Sequence, residues 1–422
     1  MKKTVKKLTA FALVVLLMFS ACATIGAVGD DPAESGEISV DKINFKNSDF
    51  IKGMDVSSVI ALENSGVQYY DENGTKDLFE ILSDNEVNYI RVRVWNNPYN
   101  EEGKGYGGGN CDVETAAKIG ARAAKYGMKL LVDFHYSDFW ADPSKQLAPK
   151  AWANMDVEQK VTALSRFTAS SLDAIKNAGA DIGMVQIGNE INNGMAGETE
   201  FMKMAQLLNA GAKAVRDFDE NIRVAVHFTD IQDVNAFEWN ASALDVNEVD
   251  YDVFAVSYYP YWHGSLSNLT NELDKIAKTY GKEVMVAETS YPYTLSDSDG
   301  YANTVSKGYN DTGDNMNWEI SAQGQASEVR DVMAAVNDVD DGKGIGVFYW
   351  EGAWITVGDT TGLSDNDYGI RVGENQELWE RYGSGWATSY SAEYASTTTM
   401  AQFGGCAVDN RSEEHTSEPQ SR

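Results

Sequence analysis

Short runs of apolar and β-branched residues alternate along most of this chain with longer stretches of helical periodicity. The runs fall at 50–56, 89–95, 129–135, 184–190, 223–228, 253–259, 283–289 and 344–350. In the stretches between them, Phe201, Met204, Leu208, Ala212 and Val215 recur at spacings of three and four, which places them on one helical face. Val329, Val332, Met333 and Val336 repeat the pattern. Eight such units predict an α/β fold, a (β/α)8 TIM barrel with parallel strands buried on both faces, as a single domain over 49–410.

The two ends break the pattern. Lys2, Lys3, Lys6 and Lys7 precede an apolar run over 8–19 and small residues at Ala21 and Ala23. That is the layout of a signal peptide, residues 1–23, and it is too short for a comfortable membrane span. Phe19-Ser20-Ala21-Cys22 also resembles a lipoprotein cleavage box, so two addresses are open: free secretion, or a lipid anchor at Cys22 on the cell surface. Residues 24–48 are polar and acidic and read as a linker. Residues 411–422 are polar with no apolar face and read as an unstructured, foreign tail. On that reading the last barrel helix is missing or incomplete.

Composition narrows the partners. A formal net charge of −30 argues against nucleic acid, which needs clustered Lys and Arg. Three cysteines are too few for a disulfide scaffold. A content of 43% hydrophobic residues, 11% of all residues being aromatic, excludes wholesale disorder. A monomer is expected, touching a membrane only through Cys22 if that residue is lipidated.

The chemistry gathers at the strand ends, where a barrel carries its active site. Glu190 closes the fourth run and Glu288 the seventh, two carboxylates projecting into one cavity. Such a pair suits retaining glycoside hydrolysis, with Glu190 as acid/base and Glu288 as nucleophile. Glu190 would then keep its proton through burial and the Glu288 charge. Asn189 offers an amide to a sugar 2-hydroxyl, and Tyr258 a hydroxyl to the nucleophile. Arg91 and Arg93 alternate onto one face of the second strand, placed to neutralise carboxylates. Trp95 and Trp350 close strands two and eight, and Trp140, Trp262, Trp354 and Trp386 follow in loops, flat rings suited to pyranose faces. No His-x-His pair or Gly-x-Ser-x-Gly occurs, which argues against catalytic zinc and a serine nucleophile.

Longer motifs add a resemblance. Gly53-Met54-Asp55-Val56-Ser57, Arg91-Val92-Arg93-Val94-Trp95, and Asp133-Phe134-His135-Tyr136-Ser137-Asp138-Phe139-Trp140-Ala141-Asp142-Pro143 stand in the first three units. Gly188-Asn189-Glu190, Ser257-Tyr258-Tyr259-Pro260, Ala287-Glu288-Thr289-Ser290, Tyr349-Trp350-Glu351 and Gly383-Ser384-Gly385-Trp386 follow. With these the chain resembles the bacterial endo-β-1,4-galactanases of glycoside hydrolase family 53, from about Asp49 to Asn410. The resemblance implies an exported enzyme that cleaves inside β-1,4-galactan, the side chain of type I arabinogalactan in pectin. It gives Glu190 and Glu288 the same roles, and places Asp133, His135, Tyr136, Asn189, His227, Trp350 and Trp386 along the cleft. It also implies one structural calcium ion, held by Asp297, Asp299, Tyr301, Asn303, Cys406 and Asp409. Tyr301 and Cys406 stand where the family has His and Ser, and would serve through their backbone carbonyls. Cys406 has an alternative partner in Cys111, as a disulfide. Set against the galactanase reading are another retaining endo-glycanase of the same clan (mannanase, cellulase or xylanase) and a non-catalytic glycan-binding barrel.

Overall fold

The computed structural model describes residues 38–71, 73–295, 298–299, 305 and 317–394. The expected signal peptide, the expected tail and any helix after residue 394 lie outside the described residues. Eight parallel strands close a barrel: β1 (Ile51–Asp55), β2 (Tyr89–Val94), β3 (Lys129–Phe134), β4 (Ile182–Ile187), β5 (Arg223–Phe228), β6 (Val253–Ser257), β7 (Glu283–Thr289) and β8 (Gly344–Tyr349). Sequence neighbours are spatial neighbours throughout, and β1 closes the ring by pairing with both β8 and β2. Seven predicted runs contain their strands; the fourth, 184–190, overlaps β4, which starts two residues earlier and ends at Ile187. A small hairpin pairing Tyr70–Asp71 with Gly74–Thr75 was not anticipated.

Helices cover the outside: α1 (Val59–Asn64), α2 (Leu78–Asp84), α3 (Val113–Lys125), α4 (Val157–Asn177), α5 (Phe201–Phe218), α6 (Val234–Val246), α7 (Leu266–Tyr280), α8 (Ala322–Asn337) and α9 (Asp365–Tyr382). Their starts are set locally. Asp156 and Gln159 form a reciprocal capping box at the head of α4, and Ser265 and Ser321 cap α7 and α8. The predicted stripes are buried as expected, Met204, Leu208, Ala212 and Val215 on α5 and Val329, Val332, Met333 and Val336 on α8. By contrast α9 buries only Asn375 and Trp379, so it rides on the rim instead of sealing the wall.

Inside the barrel, Ile51, Leu131, Met184, Val253, Met285 and Phe348 form the floor beneath the site. Phe348 lies across Gly53, where any Cβ would come within 2.1 Å of its ring. Glycine is therefore required at that point on β1.

The expected linker needs correction over its described part. Residues 38–48 lie along α8: the Lys46 N–H donates to Asn337 Oδ1 (2.8 Å), and Ser39 and Gln323 exchange two hydrogen bonds of 2.9 Å. Phe45 stacks on Phe50 at 4.3 Å. The cause is in the segment itself, since Ile38, Ile43 and Phe45 supply apolar side chains that the barrel wall can cover.

Candidate active site

Arg91 is the hub. It projects inward from β2, fully buried, with Nη1 3.1 Å from Asp55 Oδ2. Its Nη2 lies 2.9 Å from Asp133 Oδ2 and 2.8 Å from Glu288 Oε1. The same nitrogen approaches Asn189 Oδ1 at 3.0 Å, and Nε reaches Gln186 Oε1 at 3.3 Å. Burial works against the guanidinium charge, but Asp133, Glu288 and Asp55 together hold it more firmly protonated than usual. The members arrive by register: Asp55 pairs with Arg91 across β1 and β2, and Asp133 with Gln186 across β3 and β4.

The two glutamates end differently. Glu288 receives Arg91 on Oε1 and the Tyr259 hydroxyl on Oε2 (3.0 Å). Glu190 receives a hydroxyl, Ser257 Oγ to Oε1 at 2.6 Å. That serine sits 3.0 Å from His227 Nε2, and His227 Nδ1 lies 2.9 Å from Asn189 Oδ1, so the ring braces both Asn189 and the serine. Burial, then the Glu288 charge, raises the Glu190 carboxyl well above its ordinary value. Burial also raises Glu288, but Arg91 pulls against it, so Glu190 is the group that keeps the proton.

Glu190 is held in a left-handed turn, φ +45°, after Gly188 at +93°. Gln146 pins that turn from outside, its Nε2 donating to the carbonyls of Asn189 (2.8 Å), Glu190 (3.3 Å) and Asp142 (3.1 Å). His135 has a fixed tautomer. Its Nδ1 accepts from Trp95 Nε1 and the Ala141 N–H, both at 3.1 Å, leaving Nε2 to donate to Asp133 Oδ2 at 3.1 Å. Burial lowers its pKa, so the ring is neutral.

Beside this network stands a wall of indoles. Trp140 stacks on Trp386 (4.4 Å, 12°) and lies parallel to Trp354 (6.3 Å, 15°), with Trp95 and Trp350 tilted against it. Arg93 lies beneath, its Cζ 4.3 Å from the Trp140 ring centre. Glu351 Oε1 forms an ion pair with Arg93 Nη2 at 2.5 Å. Burial pushes the Glu351 carboxyl up to about 7, with Arg93 opposing.

Two expected residues are elsewhere. Tyr258 does not meet Glu288: its hydroxyl donates to the Gly264 carbonyl (2.8 Å), and Tyr259 takes that place. Strand alternation explains this, since Ser257 points inward and the next side chain must point out. Tyr136 likewise leaves the cleft, because His135 points in; its ring stacks on Phe134 and its hydroxyl meets Thr168 Oγ1 on α4 at 2.8 Å. Asp133, His135, Asn189, His227, Trp350, Trp386 and Arg93 are all in the site or its wall. Missed were Asp55, Gln186, Ser257 and Tyr259, which alternation could have found, and Gln146, which carries no sequence signal.

Of the expected calcium ligands, Asp299 is described and is buried (1% exposed), with Asn375 Nδ2 3.4 Å from its carbonyl. Asp297, Tyr301, Asn303, Cys406 and Asp409 lie outside the described residues. Among the described residues no three His, Cys, Asp or Glu are grouped to hold a metal ion. The Cys111 thiol donates to the Gly108 carbonyl at 3.2 Å; burial pushes it up to about 12, so it is no nucleophile.

A closed (β/α)8 barrel with a protonated and an arginine-held glutamate at the ends of β4 and β7 defines a glycoside hydrolase of the two-carboxylate kind. Comparison with known proteins narrows the class. The chain belongs to glycosyl hydrolase family 53, whose model matches residues 51–399. It is 51% identical over 420 residues to the endo-β-1,4-galactanase of Bacillus subtilis, covering 97% of this chain and 94% of that protein. It is 34% identical to the arabinogalactan endo-β-1,4-galactanase of Cellvibrio japonicus, over 74% of this chain and 82% of the relative. Among solved structures, the family 53 catalytic domain of Ignisphaera aggregans superposes with a TM-score of 0.72 at 40% identity, covering 75% of this chain and 89% of that one.

Proposed function

We propose that the chain is a retaining endo-β-1,4-galactanase, hydrolysing internal β-1,4-galactosidic bonds of type I arabinogalactan by double displacement. The observation that carries the reading is the unequal environment of the two glutamates, a hydroxyl against Glu190 and a guanidinium against Glu288. Glu288 attacks the anomeric carbon while the Glu190 proton passes to the leaving oxygen, breaking the glycosidic bond. Water then gives a proton back to Glu190 and its oxygen to the anomeric carbon, releasing Glu288. Arg91 and Tyr259 hold the nucleophile ionised and oriented in the first step and receive it back in the second. The indole wall offers apolar faces to successive galactosyl rings.

The test is reducing-sugar release from purified galactan, run beside xylan, mannan and cellulose, with NMR of the first-formed anomer. Galactan alone should be cleaved, with the β-anomer appearing first. Cleavage of xylan without galactan would overturn the substrate, and an inverted anomer the mechanism.

The same reading includes export of a monomer, freely secreted or anchored through Cys22, and one structural calcium ion. Asp299, buried in the loop after β7, and the buried Asn375 Oδ1, which has no hydrogen-bond donor among the described residues, favour a cation there. Asp297, Asn303 and Asp409 would add side-chain oxygens, and Tyr301 and Cys406 carbonyls, a hard-cation set. Bound calcium would tie the β7 loop to the rim. Chelation should then lower Tm and calcium restore it; an unchanged Tm in both would remove the ion from the account.

A further inference from the structure

Glu351 follows the wall residue Trp350 directly, is buried (4% exposed), and takes no part in the hydrolytic steps above. Its backbone is left-handed, φ +48°, an unusual conformation for a residue with a Cβ. Both carboxylate oxygens are engaged: Oε1 by Arg93 Nη2 and Oε2 by the Ser58 hydroxyl, each at 2.5 Å. Its carbonyl accepts the Trp354 N–H at 2.9 Å, so the same residue fixes the entry of a second wall indole.

Arg93 depends on this carboxylate. Among the described residues its Nε and Nη1 have no hydrogen-bond acceptor, and the next anionic oxygen, Asp55 Oδ1, is 3.7 Å from Nη1. Nη2 also donates to the Gly108 carbonyl at 3.1 Å, and ring faces surround the group, Trp140 at 4.3 Å, Trp95 at 5.8 Å and Trp350 at 5.9 Å from Cζ. A buried guanidinium with one close anion and three indoles is held by charge from one side and by the ring quadrupoles from the other. Without the Glu351 charge, Asp55 becomes the nearest anion, and the guanidinium is drawn off the Trp140 face toward the hydrolytic network. Trp140 is stacked on Trp386 and donates Nε1–H to its carbonyl at 3.1 Å, so a shift of one moves the other.

We propose that Glu351 is a positioning residue for glycan binding: by clamping Arg93 beneath Trp140 it sets the spacing and tilt of the indole wall. The inference rests on the galactanase reading, because that reading makes the wall a sugar platform.

The experiment is steady-state kinetics on galactan with Glu351→Gln and Glu351→Ala, alongside near-UV circular dichroism of the tryptophans. Glu351→Gln should raise KM about tenfold with a clearly smaller fall in kcat, and should alter the indole dichroism; Glu351→Ala should exceed it in both. Ser58→Ala, which removes one hydrogen bond and keeps the ion pair, should raise KM two- to threefold and covers the case in which Glu351→Ala fails to fold. A fall in kcat at constant KM would overturn the proposal, since it would place the effect on Glu288 through Asp55. A lowered Tm with unchanged KM, kcat and dichroism would overturn it too, leaving a merely structural pair. If the wild-type protein ignores galactan and cleaves another glycan, the functional reading fails by itself, and the KM change on that glycan still decides the role of Glu351.

Discussion

Two arginines stand two residues apart on β2, both fully buried, and they live in different chemistry. Arg91 is surrounded by oxygens: Asp55, Asp133, Glu288, Asn189 and Gln186 all lie within hydrogen-bonding distance. Arg93 has one close carboxylate, the Gly108 carbonyl at 3.1 Å, and three indole faces. The first environment fixes a charge beside the bond to be broken, and the second turns a charge into a support for aromatic rings. Asp55 touches both, at 3.1 Å from Arg91 and 3.7 Å from Arg93. One strand thus divides the site into a half that should govern kcat and a half that should govern KM.

The largest effects belong to the Arg91 half. Glu190→Gln should lower kcat on galactan by about 10²- to 10⁴-fold, the usual worth of a general acid, and Glu288→Gln by at least as much. The two are told apart by leaving group and pH. An aryl galactoside, whose phenolate leaves without a proton, should recover the first step in Glu190→Gln and not in Glu288→Gln. In the wild type the raised Glu190 pKa sets the alkaline limb, because activity is lost as pH rises through it and the acid ionises. On the proposed mechanism Glu288 should set the acid limb, since protonation would remove the nucleophile as pH falls. Glu190→Gln should abolish the alkaline limb; a limb that persists would assign the acid to another group.

A smaller effect tests how finely that half is built. Gln146 donates to the backbone carbonyls of Asn189 and Glu190, which aim one carboxylate head, and to that of Asp142. Gln146→Leu should lower kcat about 10- to 100-fold, in line with the cost of misplacing a catalytic group by an ångström or less, with KM nearly unchanged. A rise in KM at constant kcat would move Gln146 to the binding half and blur the division.

The same comparison shows what was readable in the chain. Eight strands, the carboxylate pair and the indoles were legible because parallel buried strands leave long apolar runs and polar residues stand out at their ends. Facing was harder. Alternation assigns Asp133 and His135 inward and Tyr136 outward, yet past the last ladder pair the chain is free to turn, and a family pattern says nothing of rotation. The same parity runs unbroken through β6 and sends Ser257 and Tyr259 in and Tyr258 out, whereas β7 carries an extra residue there, Val256 pairing with Val286 and Ser257 with Glu288. Gln146 was illegible for a different reason: a loop amide that meets a turn 43 residues away leaves no periodic trace. The segment over 38–48 read as a linker because its four apolar residues are too sparse to form an element, although Ile38, Ile43 and Phe45 suffice to dock on a wall already formed.

Tyr136→Phe offers the mildest test, and it bears on facing. Thr168 Oγ1 already gives its proton to the Leu164 carbonyl at 2.9 Å, so Tyr136 is the donor in the bond between them. Its hydroxyl is seated over Gly211 of α5, where a Cβ would stand 3.2 Å away. Removing that oxygen deletes one neutral hydrogen bond between barrel and helix layer and leaves no donor unsatisfied. The expected cost is about 1 kcal/mol of stability, seen as a Tm lower by about 2 °C or less. Both kcat and KM on galactan should stay within the error of the wild-type values, because the ring lies behind the sheet, outside either arginine's network. A KM that rose severalfold without a change in Tm would put the Tyr136 hydroxyl in the cleft after all, and with it would fall the alternation rule that separates the inward from the outward residues on β3.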